Sequence, residues 1–274
     1  MVDEIFRLSA LDISQRIKKG EISCSEVVDS FLDRIDKINP KSNAITVVFE
    51  ELVRRMAGEL DRQKEKDSKK IFYGVPFTIK DNLDFFGVPT TKGLVALKDS
   101  MPTRSDPIVN RLMASGGIPL GKTNMPEMGM RLDTDNALFG RTLNPWDQNM
   151  TPGGSSGGDA VALATGMTPF GLGNDIGGSL RNPAYCCGIA SLKPSQGLVP
   201  WSPSIDPFDS GAPNLMLTNG PMARTVSDLK AGLSVIAGRS IYDPDSLDIS
   251  SSPVLPIKPR AGFVTQIDGF DIPE

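Results

Sequence analysis

Apolar residues recur at helical spacing near the start of the chain. One such stripe consists of Val27, Val28, Phe31, Leu32 and Ile35. The segment SCSE before it (residues 23–26) places a serine three positions ahead of an acid, as does SALD (residues 9–12). That spacing is typical of a capped helix N-terminus. The pattern therefore predicts two helices at the start of the protein.

Further along, short apolar segments alternate with helical ones. Strands are predicted at residues 44–49, 75–80, 118–122, 168–172 and 260–266, and residues 189–193 are predicted to be extended. Helices are predicted over 50–66, from about 105 to the glycines at 116 and 117, over 159–165, and from a cap at Thr225 to a stop at Gly238. The alternation predicts a layered α/β fold with a largely parallel or mixed β-sheet.

Composition indicates an ordinary globular protein. Of its residues, 39% are hydrophobic and 23% are charged. The length of 274 residues is enough for one large domain or two ordinary ones. We expect a single domain over residues 1–274, with a mainly helical part at about 1–70 and a catalytic core at about 71–240. Residues 246–260, rich in serine and proline, predict a loop or linker.

Charge and cysteine content narrow the class of partner. The formal net charge of −4 and the scattered basic residues argue against nucleic acid. Neither a secretory signal nor an apolar segment long enough to span a bilayer is visible, so no membrane partner is expected. Three cysteines build no disulfide framework, and Cys186 and Cys187 are expected to be structural. We therefore expect a cytoplasmic protein.

One motif points to nucleotide binding but stands in the wrong context. The segment GGIPLGKT (residues 116–123) fits the phosphate-binding P-loop pattern. A P-loop follows a strand and opens a helix, whereas this segment follows a helix and precedes Pro126. We interpret its glycines as a helix stop and the remainder as a strand.

The candidate chemistry centres on Ser179, in the segment GLGNDIGGSLRNPA (residues 171–184). A serine nucleophile needs a base, and the chain contains no histidine. Lys80 ends the predicted strand at 75–80, where alternation places it on the face opposite Phe77 and Ile79. Burial there would lower its pKa toward neutrality. Ser155, in the glycine-rich segment PGGSSGGDAVALATG (residues 152–166), completes a proton path from Ser179 through Ser155 to Lys80.

The glycine-rich turn that carries Ser179 also offers donors for a developing oxyanion. The backbone N–H groups of Ile176, Gly177, Gly178 and Ser179 are the candidates, because successive glycines leave room for a substrate carbonyl. Each segment alone also has an ordinary explanation. Lys80 could be a surface charge or a partner of Asp81, and the glycine-serine segments could be turns or caps. Their joint occurrence favours function.

Taken together, these segments resemble the amidase signature family. The glycine- and serine-rich signature of that family matches residues 152–184, its lysine strand matches GVPFTIKDN (residues 74–82), and the spacing between Lys80, Ser155 and Ser179 also agrees. Similar flanks are GKTNMPE from residue 121, NPWD from 144, GIASLKPS from 188 and GPMARTVSD from 220. The resemblance covers roughly residues 23–264.

This resemblance implies a fold, a layered α/β architecture with a mixed β-sheet flanked by helices on both faces. It also implies a reaction and a set of roles. Ser179 would be the acyl-accepting nucleophile, Ser155 the bridging serine after a cis peptide bond, and Lys80 the base. Ser156 and Asp175 would be supporting residues, and Arg181 would brace the loop. The reaction would be hydrolysis of a small-molecule amide through an acyl-enzyme, with no metal and no organic cofactor.

Two family branches remain open for the substrate. The catalytic subunit of a glutamyl-tRNA(Gln) amidotransferase would hydrolyse glutamine and pass ammonia to a partner. Residues 197–221 are longer and more apolar than the corresponding segment of that branch. This favours an amidase for apolar or aryl amides, and also esters or carbamates. Three smaller departures from the family pattern are single residues. Ser191 stands where the family commonly has Gly, and Ser195 where it commonly has Thr. Asn174 stands where Thr or Ser is common.

A further departure concerns length. Family members normally continue well beyond residue 274, so we expect that the C-terminal portion of the family fold is missing. An inactive fragment that needs a partner chain, and a binding module, therefore remain alternatives to an enzyme. A homodimer is compatible with the sequence, which does not specify the oligomeric state.

Overall fold

Six β-strands form one mixed sheet in the computed structural model, which describes residues 2–63, 69–202, 204 and 216–248. Their order is β1-β3-β2-β4-β6-β5. Pairing is parallel for β2 with β3 and with β4, and antiparallel for β1 with β3, β4 with β6 and β5 with β6. The strands are β1 (Ile45–Val48), β2 (Pro76–Lys80), β3 (Ile118–Thr123), β4 (Phe170–Asp175), β5 (Ala190–Ser191) and β6 (Thr218–Ala223).

The described ranges also contain seven α-helices, several with the capping that their sequences predict. They are α1 (Ala10–Lys19), α2 (Cys24–Ser42), α3 (Glu50–Asp61), α4 (Pro107–Ala114), α5 (Gly157–Ala164), α6 (Arg181–Cys187) and α7 (Val226–Ile236). Ser9 caps α1, and Ser23 forms a reciprocal capping box with Glu26 at the start of α2. Short 3₁₀ helices lie at Val2–Arg7, Val95–Leu97 and Glu127–Gly129.

Helices cover both faces of the sheet, as predicted. On one face, a β-carbon on Gly171 of β4 would lie 2.9 Å from a carboxylate oxygen of Asp159 in α5. The neighbouring Phe170 points to the other face, where its ring leaves no space for a side chain at Gly232 of α7. Within α5, the residues Ala160, Val161, Ala162 and Leu163 are all fully buried. This buried helix holds the glycine-serine segment at its N-terminus against the sheet.

Most of the predicted elements are present with small differences in their bounds. The segment 116–123 is a helix end followed by β3, which confirms the interpretation of the P-loop-like pattern as a strand. Strand β4 continues to Asp175 instead of ending at 172, and only Ala190–Ser191 of the extended segment pairs as a strand. Two elements were not predicted from the sequence: α6, which contains Pro183, and β6, which contains Gly220 and Pro221.

Strand β6 was missed because local composition argues against it. Glycine and proline are depleted in strand interiors. Pairing with β4 from Asp175↔Thr218 to Phe170↔Ala223 nevertheless holds the whole segment extended. The predicted strand at 260–266, the linker beyond Asp248 and the predicted end of α3 at 64–66 lie outside the described residues. Within the described residues, every helix is too short or too polar to cross a bilayer.

Candidate active site

Lys80 and Ser155 meet at the carboxyl end of β2. Lys80 Nζ lies 2.7 Å from Ser155 Oγ, and the exposed fractions of the two residues are 0% and 2%. Burial lowers the pKa of the Lys80 amine to about 7, although the negative charges of Asp159 and Asp175 oppose the shift. A substantial fraction of this amine is therefore uncharged at neutral pH, as a base must be.

Ser155 owes its position to the turn before α5. The Gly154–Ser155 peptide bond is cis, as the family resemblance implies. A β-carbon on Gly154 would lie 2.7 Å from the carbonyl oxygen of Arg131, so only glycine fits this close approach of two backbone segments. The next residue, Ser156, donates its backbone N–H to the carbonyl oxygen of Ser179 over 3.2 Å. This bond joins the two serine-bearing segments.

Lys80 has a second acceptor that sequence reasoning did not assign. Asn174 Oδ1 lies 2.8 Å from Lys80 Nζ. Asn174 Nδ2 in turn donates to Asn82 Oδ1 over 2.9 Å, and Asn82 Nδ2 donates to Asn174 Oδ1 over 3.2 Å. The signal in the sequence was the position of Asn174 itself, directly before Asp175 and in place of the hydroxyl residue common in the family.

Ser179 lies in the turn between β4 and α6, and Asp175 organises this turn. Asp175 Oδ1 accepts the N–H of Gly178 over 2.8 Å, and Oδ2 accepts the N–H of Leu180 over 3.0 Å. Gly178 has a φ of +125°, a conformation that favours glycine. Ser179 is only 9% exposed. The turn therefore has a fixed shape around the candidate nucleophile.

Arg181 neutralises the carboxylate that holds this turn. Its Nη2 lies 2.9 Å from Asp175 Oδ1 and its Nε lies 3.1 Å from Oδ2. Burial of Asp175 opposes ionisation, yet the hydrogen bonds from Arg181, Leu180 and Gly178 lower its pKa to about 2. The turn is thus braced by an ion pair whose arginine side chain is 57% exposed.

The N–H groups of the turn differ in what they are free to bind. Gly178 N–H, a predicted oxyanion donor, is already engaged by Asp175. Among the described residues, the N–H groups of Ile176, Gly177 and Ser179 have no acceptor in the chain. A β-carbon on Gly177 would meet no atom within 4 Å, so there is open space beside it. Three N–H groups of the turn are therefore available to an anionic oxygen.

Asp159, in the first turn of α5, is a buried acid that the sequence did not single out. It accepts hydrogen bonds from Thr78 Oγ1 over 2.9 Å and from Thr123 Oγ1 over 2.5 Å. Burial raises the pKa of Asp159 to about 6, against the effect of these hydroxyls. Asp159 thereby ties β2 and β3 to α5 beneath the Lys80–Ser155 pair.

The two adjacent cysteines lie behind the nucleophile turn. Cys187 is buried, and its Sγ lies 3.3 Å from the carbonyl oxygen of Pro152. Burial, with a smaller contribution from Cys186, raises the pKa of Cys187 to about 12. A thiol with so high a pKa is a poor nucleophile, which agrees with the structural role expected for it.

Comparisons with known proteins show what the chain as a whole is similar to. A family model described as Amidase matches residues 26–266. Indoleacetamide hydrolase from Bradyrhizobium diazoefficiens is 41% identical over 242 residues, which make up 88% of this chain and 46% of that protein. A glutamyl-tRNA(Gln) amidotransferase subunit from Carboxydothermus hydrogenoformans is 40% identical over 253 residues, 90% of this chain and 50% of that protein.

A solved structure shows the same fold. A bacterial aryl acylamidase of the amidase signature enzymes superposes with a TM-score of 0.81 at 35% identity, over 88% of this chain and 50% of that one. The chain spans about half the length of the curated relatives it matches. The family match covers well over half of the sequence. The chain belongs to the amidase signature family.

Proposed function

We propose that the protein hydrolyses a carboxylic amide through an acyl-enzyme on Ser179, with Ser155 and Lys80 as the proton path. The observation that carries this proposal is the buried contact of 2.7 Å between Lys80 Nζ and Ser155 Oγ. A lysine with a pKa near 7 can take a proton at neutral pH, which imidazole does in other serine hydrolases.

The steps follow from the order of these groups. Ser179 Oγ attacks the amide carbonyl while its proton passes to Ser155, and the Ser155 proton passes to Lys80 Nζ. The negative oxygen is stabilised by the N–H groups of Ile176 and Gly177, with that of Ser179 as a third donor. The C–N bond then breaks as the leaving amine receives the proton back through Ser155. Water hydrolyses the acyl ester by the same path and releases the acid.

In this proposal the remaining residues support the nucleophile turn. Gly178 N–H bonds Asp175, so we assign it to shaping the turn and not to binding the oxyanion. Asp175 and Arg181 hold that shape, and Ser156 joins the two serine segments through its N–H.

Apolar amides are the favoured substrate class. Exposed apolar side chains border the site, among them Ile176 in the nucleophile turn and Leu132, whose backbone packs on Gly154. Met130, two residues before Leu132, is 81% exposed. Apolar groups around a polar catalytic centre are typical of pockets for small apolar ligands. The relatives named indoleacetamide hydrolase and aryl acylamidase support the same class.

Glutamine is the second candidate substrate, because the amidotransferase relative is almost as similar to this chain as the hydrolase. Parallel assays of ammonia release from glutamine and of aryl-amide cleavage separate the two. We expect aryl-amide cleavage to exceed glutamine hydrolysis. Faster ammonia release from glutamine would instead support the amidotransferase function.

Covalent labelling tests the proposed nucleophile. A fluorophosphonate probe should form a phosphonyl ester on Ser179 with release of fluoride, and Ser179→Ala should abolish the label. Lys80→Ala should strongly reduce its rate. A folded, unlabelled wild-type chain would favour a binding module, and an aggregating chain would favour a fragment that requires a partner.

A further inference from the structure

The Lys80 amine has two polar neighbours with different roles to fill. Nζ lies 2.7 Å from Ser155 Oγ and 2.8 Å from Asn174 Oδ1. An uncharged amine has one lone pair and two N–H groups, and only the lone pair can accept the Ser155 proton. The N–H groups must then point elsewhere. Asn174 Oδ1 is placed to accept one of them.

The orientation of the Asn174 amide is fixed by a second amide. Asn174 Nδ2 donates to Asn82 Oδ1 over 2.9 Å, and Asn82 Nδ2 donates back to Asn174 Oδ1 over 3.2 Å. Both residues are buried, at 2% and 8% exposure. Reversal of Asn174 alone would set its NH₂ group against the donors of Lys80 and Asn82, and reversal of both amides would still set it against the N–H groups of Lys80. The oxygen therefore faces Lys80.

Two carboxylates influence Lys80 from neighbouring elements, but neither is hydrogen-bonded to its amine. Asp159 in α5 is engaged by Thr78 and Thr123, and Asp175 at the end of β4 is engaged by Arg181. Among the described residues, the acceptors in contact with Nζ are uncharged. A carboxylate in direct contact would favour the ammonium form, which cannot act as a base.

We propose that Asn174, locked by Asn82, is a positioning residue that aims the lone pair of Lys80 at Ser155 and leaves the amine uncharged. This inference rests on the proposed role of Lys80 as the base of the hydrolysis. It gives a physical role to an asparagine at a position where the family commonly has a hydroxyl residue. An amide and a hydroxyl share the property that matters here, since each accepts a hydrogen bond without carrying a charge.

Two near-isosteric substitutions separate charge from orientation. Asn174→Asp keeps an acceptor beside Lys80 but charges it, and should raise the pKa of Lys80 by about one unit or more. The acid limb of the pH profile for fluorophosphonate labelling should move up with it. Asn174→Leu removes the acceptor and should lower the plateau rate by about 10- to 100-fold, without an upward shift of that limb. Asn174→Thr should recover rate relative to Asn174→Leu.

Asn219 offers a matched control. It pairs with Asn174 across β4 and β6 and is also fully buried, but its side chain donates to the Pro200 carbonyl. Asn219→Asp adds a buried carboxylate at the same register and should shift the Lys80 pKa less than Asn174→Asp does. Equal shifts would mean that the effect reflects general electrostatics, which would overturn the proposal.

An NMR titration of the Lys80 Cε resonance, assigned with Lys80→Met, measures the same pKa without any turnover. If the wild type takes no label, the proposed function fails, and the titration of Asn174→Asp alone decides whether Asn174 controls the charge of Lys80. If the wild type is labelled but all three Asn174 variants keep its rate and pH profile, the positioning role is wrong while the proposed function stands.

Discussion

Two lysines, Lys80 and Lys122, lie fully buried on the neighbouring strands β2 and β3, in opposite surroundings. Lys80 contacts the uncharged oxygens of Ser155 and Asn174. Lys122 Nζ donates to the carbonyl oxygen of Leu83 and lies 3.7 Å from a carboxylate oxygen of Asp81. Burial lowers the pKa of both amines and nearby carboxylates oppose both shifts, but only Lys122 has one of these carboxylates, Asp81, within ion-pair distance.

This difference shows that burial alone does not make a lysine a base. Desolvation disfavours both ammonium ions, and a carboxylate within ion-pair distance, which Lys122 has and Lys80 lacks, favours the charged form. Asp81 follows Lys80 directly in the sequence, and a pair between them was the ordinary alternative for Lys80. The structure instead pairs Asp81 with Lys122, which leaves Lys80 without a carboxylate in contact among the described residues.

Removal of the two amines gives the strongest test of this comparison. Lys80→Met should lower the rate of fluorophosphonate labelling about 10³-fold, in the range found for loss of a general base, while the thermal midpoint stays at or above that of the wild type. Lys122→Met should keep most of its rate when it is measured at 10 °C, after circular dichroism has verified that the variant is folded. Similar losses of rate in both variants would contradict the assignment of Lys80 as the base.

The same pair of variants differs in stability. Lys122→Met leaves Asp81 buried without its cation, so the free energy of unfolding should fall by about 3–5 kcal/mol. Urea unfolding at neutral pH measures this change. Adding Asp81→Asn removes the stranded charge and should recover part of the loss. Strictly additive losses in the double variant would show that the two side chains do not interact.

The sequence predicts the proposed base, Lys80, better than it predicts the surroundings of that lysine. Lys80 was identified because β-strand alternation sets it apart from Phe77 and Ile79, and because a chain without histidine needs another base. Ser155 and Ser179 followed from glycine-rich turns. These signals are local, since each depends on a few adjacent residues.

Most of what the sequence did not predict depends on contacts between distant segments. Asn82 and Asn174 are 92 residues apart, and only strands β2 and β4 side by side bring their amides together. Strand β6 likewise forms in spite of Gly220 and Pro221, because β4 pairs along its full length. The engagement of Gly178 N–H by Asp175 is local, yet a glycine pattern does not reveal which N–H groups of a turn are already bonded.

Two buried carboxyl groups near Lys122, those of Asp84 and Asp106, predict that the stability of the fold depends on pH. Asp106 caps α4 by accepting the Ile108 N–H, but its Oδ2, like Asp84 Oδ1, has no partner among the described residues. Burial raises the pKa of Asp106 to about 7, a shift that the Ile108 N–H opposes and Asp84 reinforces. The folded state therefore keeps a proton that the unfolded state loses near pH 4, so stability contributed by this group falls as pH rises from about 4 to 7.

Asp106→Asn mimics the protonated form and tests this sign. Its thermal midpoint should exceed that of the wild type by several degrees at pH 8, and the difference should shrink toward pH 4. Melting curves of the wild type and the variant across that range isolate the contribution of Asp106, because Asp159 and Lys80 titrate in both proteins and cancel in the difference. A difference that does not change with pH would show that Asp106 is ionised throughout.

The smallest expected effect comes from removing the charge of Arg181. Lys80 would then lie near a carboxylate that is less neutralised, which makes its surroundings slightly more like those of Lys122. Arg181 neutralises Asp175, whose charge raises the pKa of Lys80 from the end of β4. Arg181→Gln should therefore move the acid limb of the labelling profile upward by a fraction of a pKa unit. The guanidinium is 57% exposed, so solvent and salt already screen it. The shift should shrink between 0.05 M and 0.5 M salt, roughly in line with the shorter Debye length. A salt-independent loss of plateau rate would instead mean that Arg181 acts only by holding the shape of the turn around Ser179.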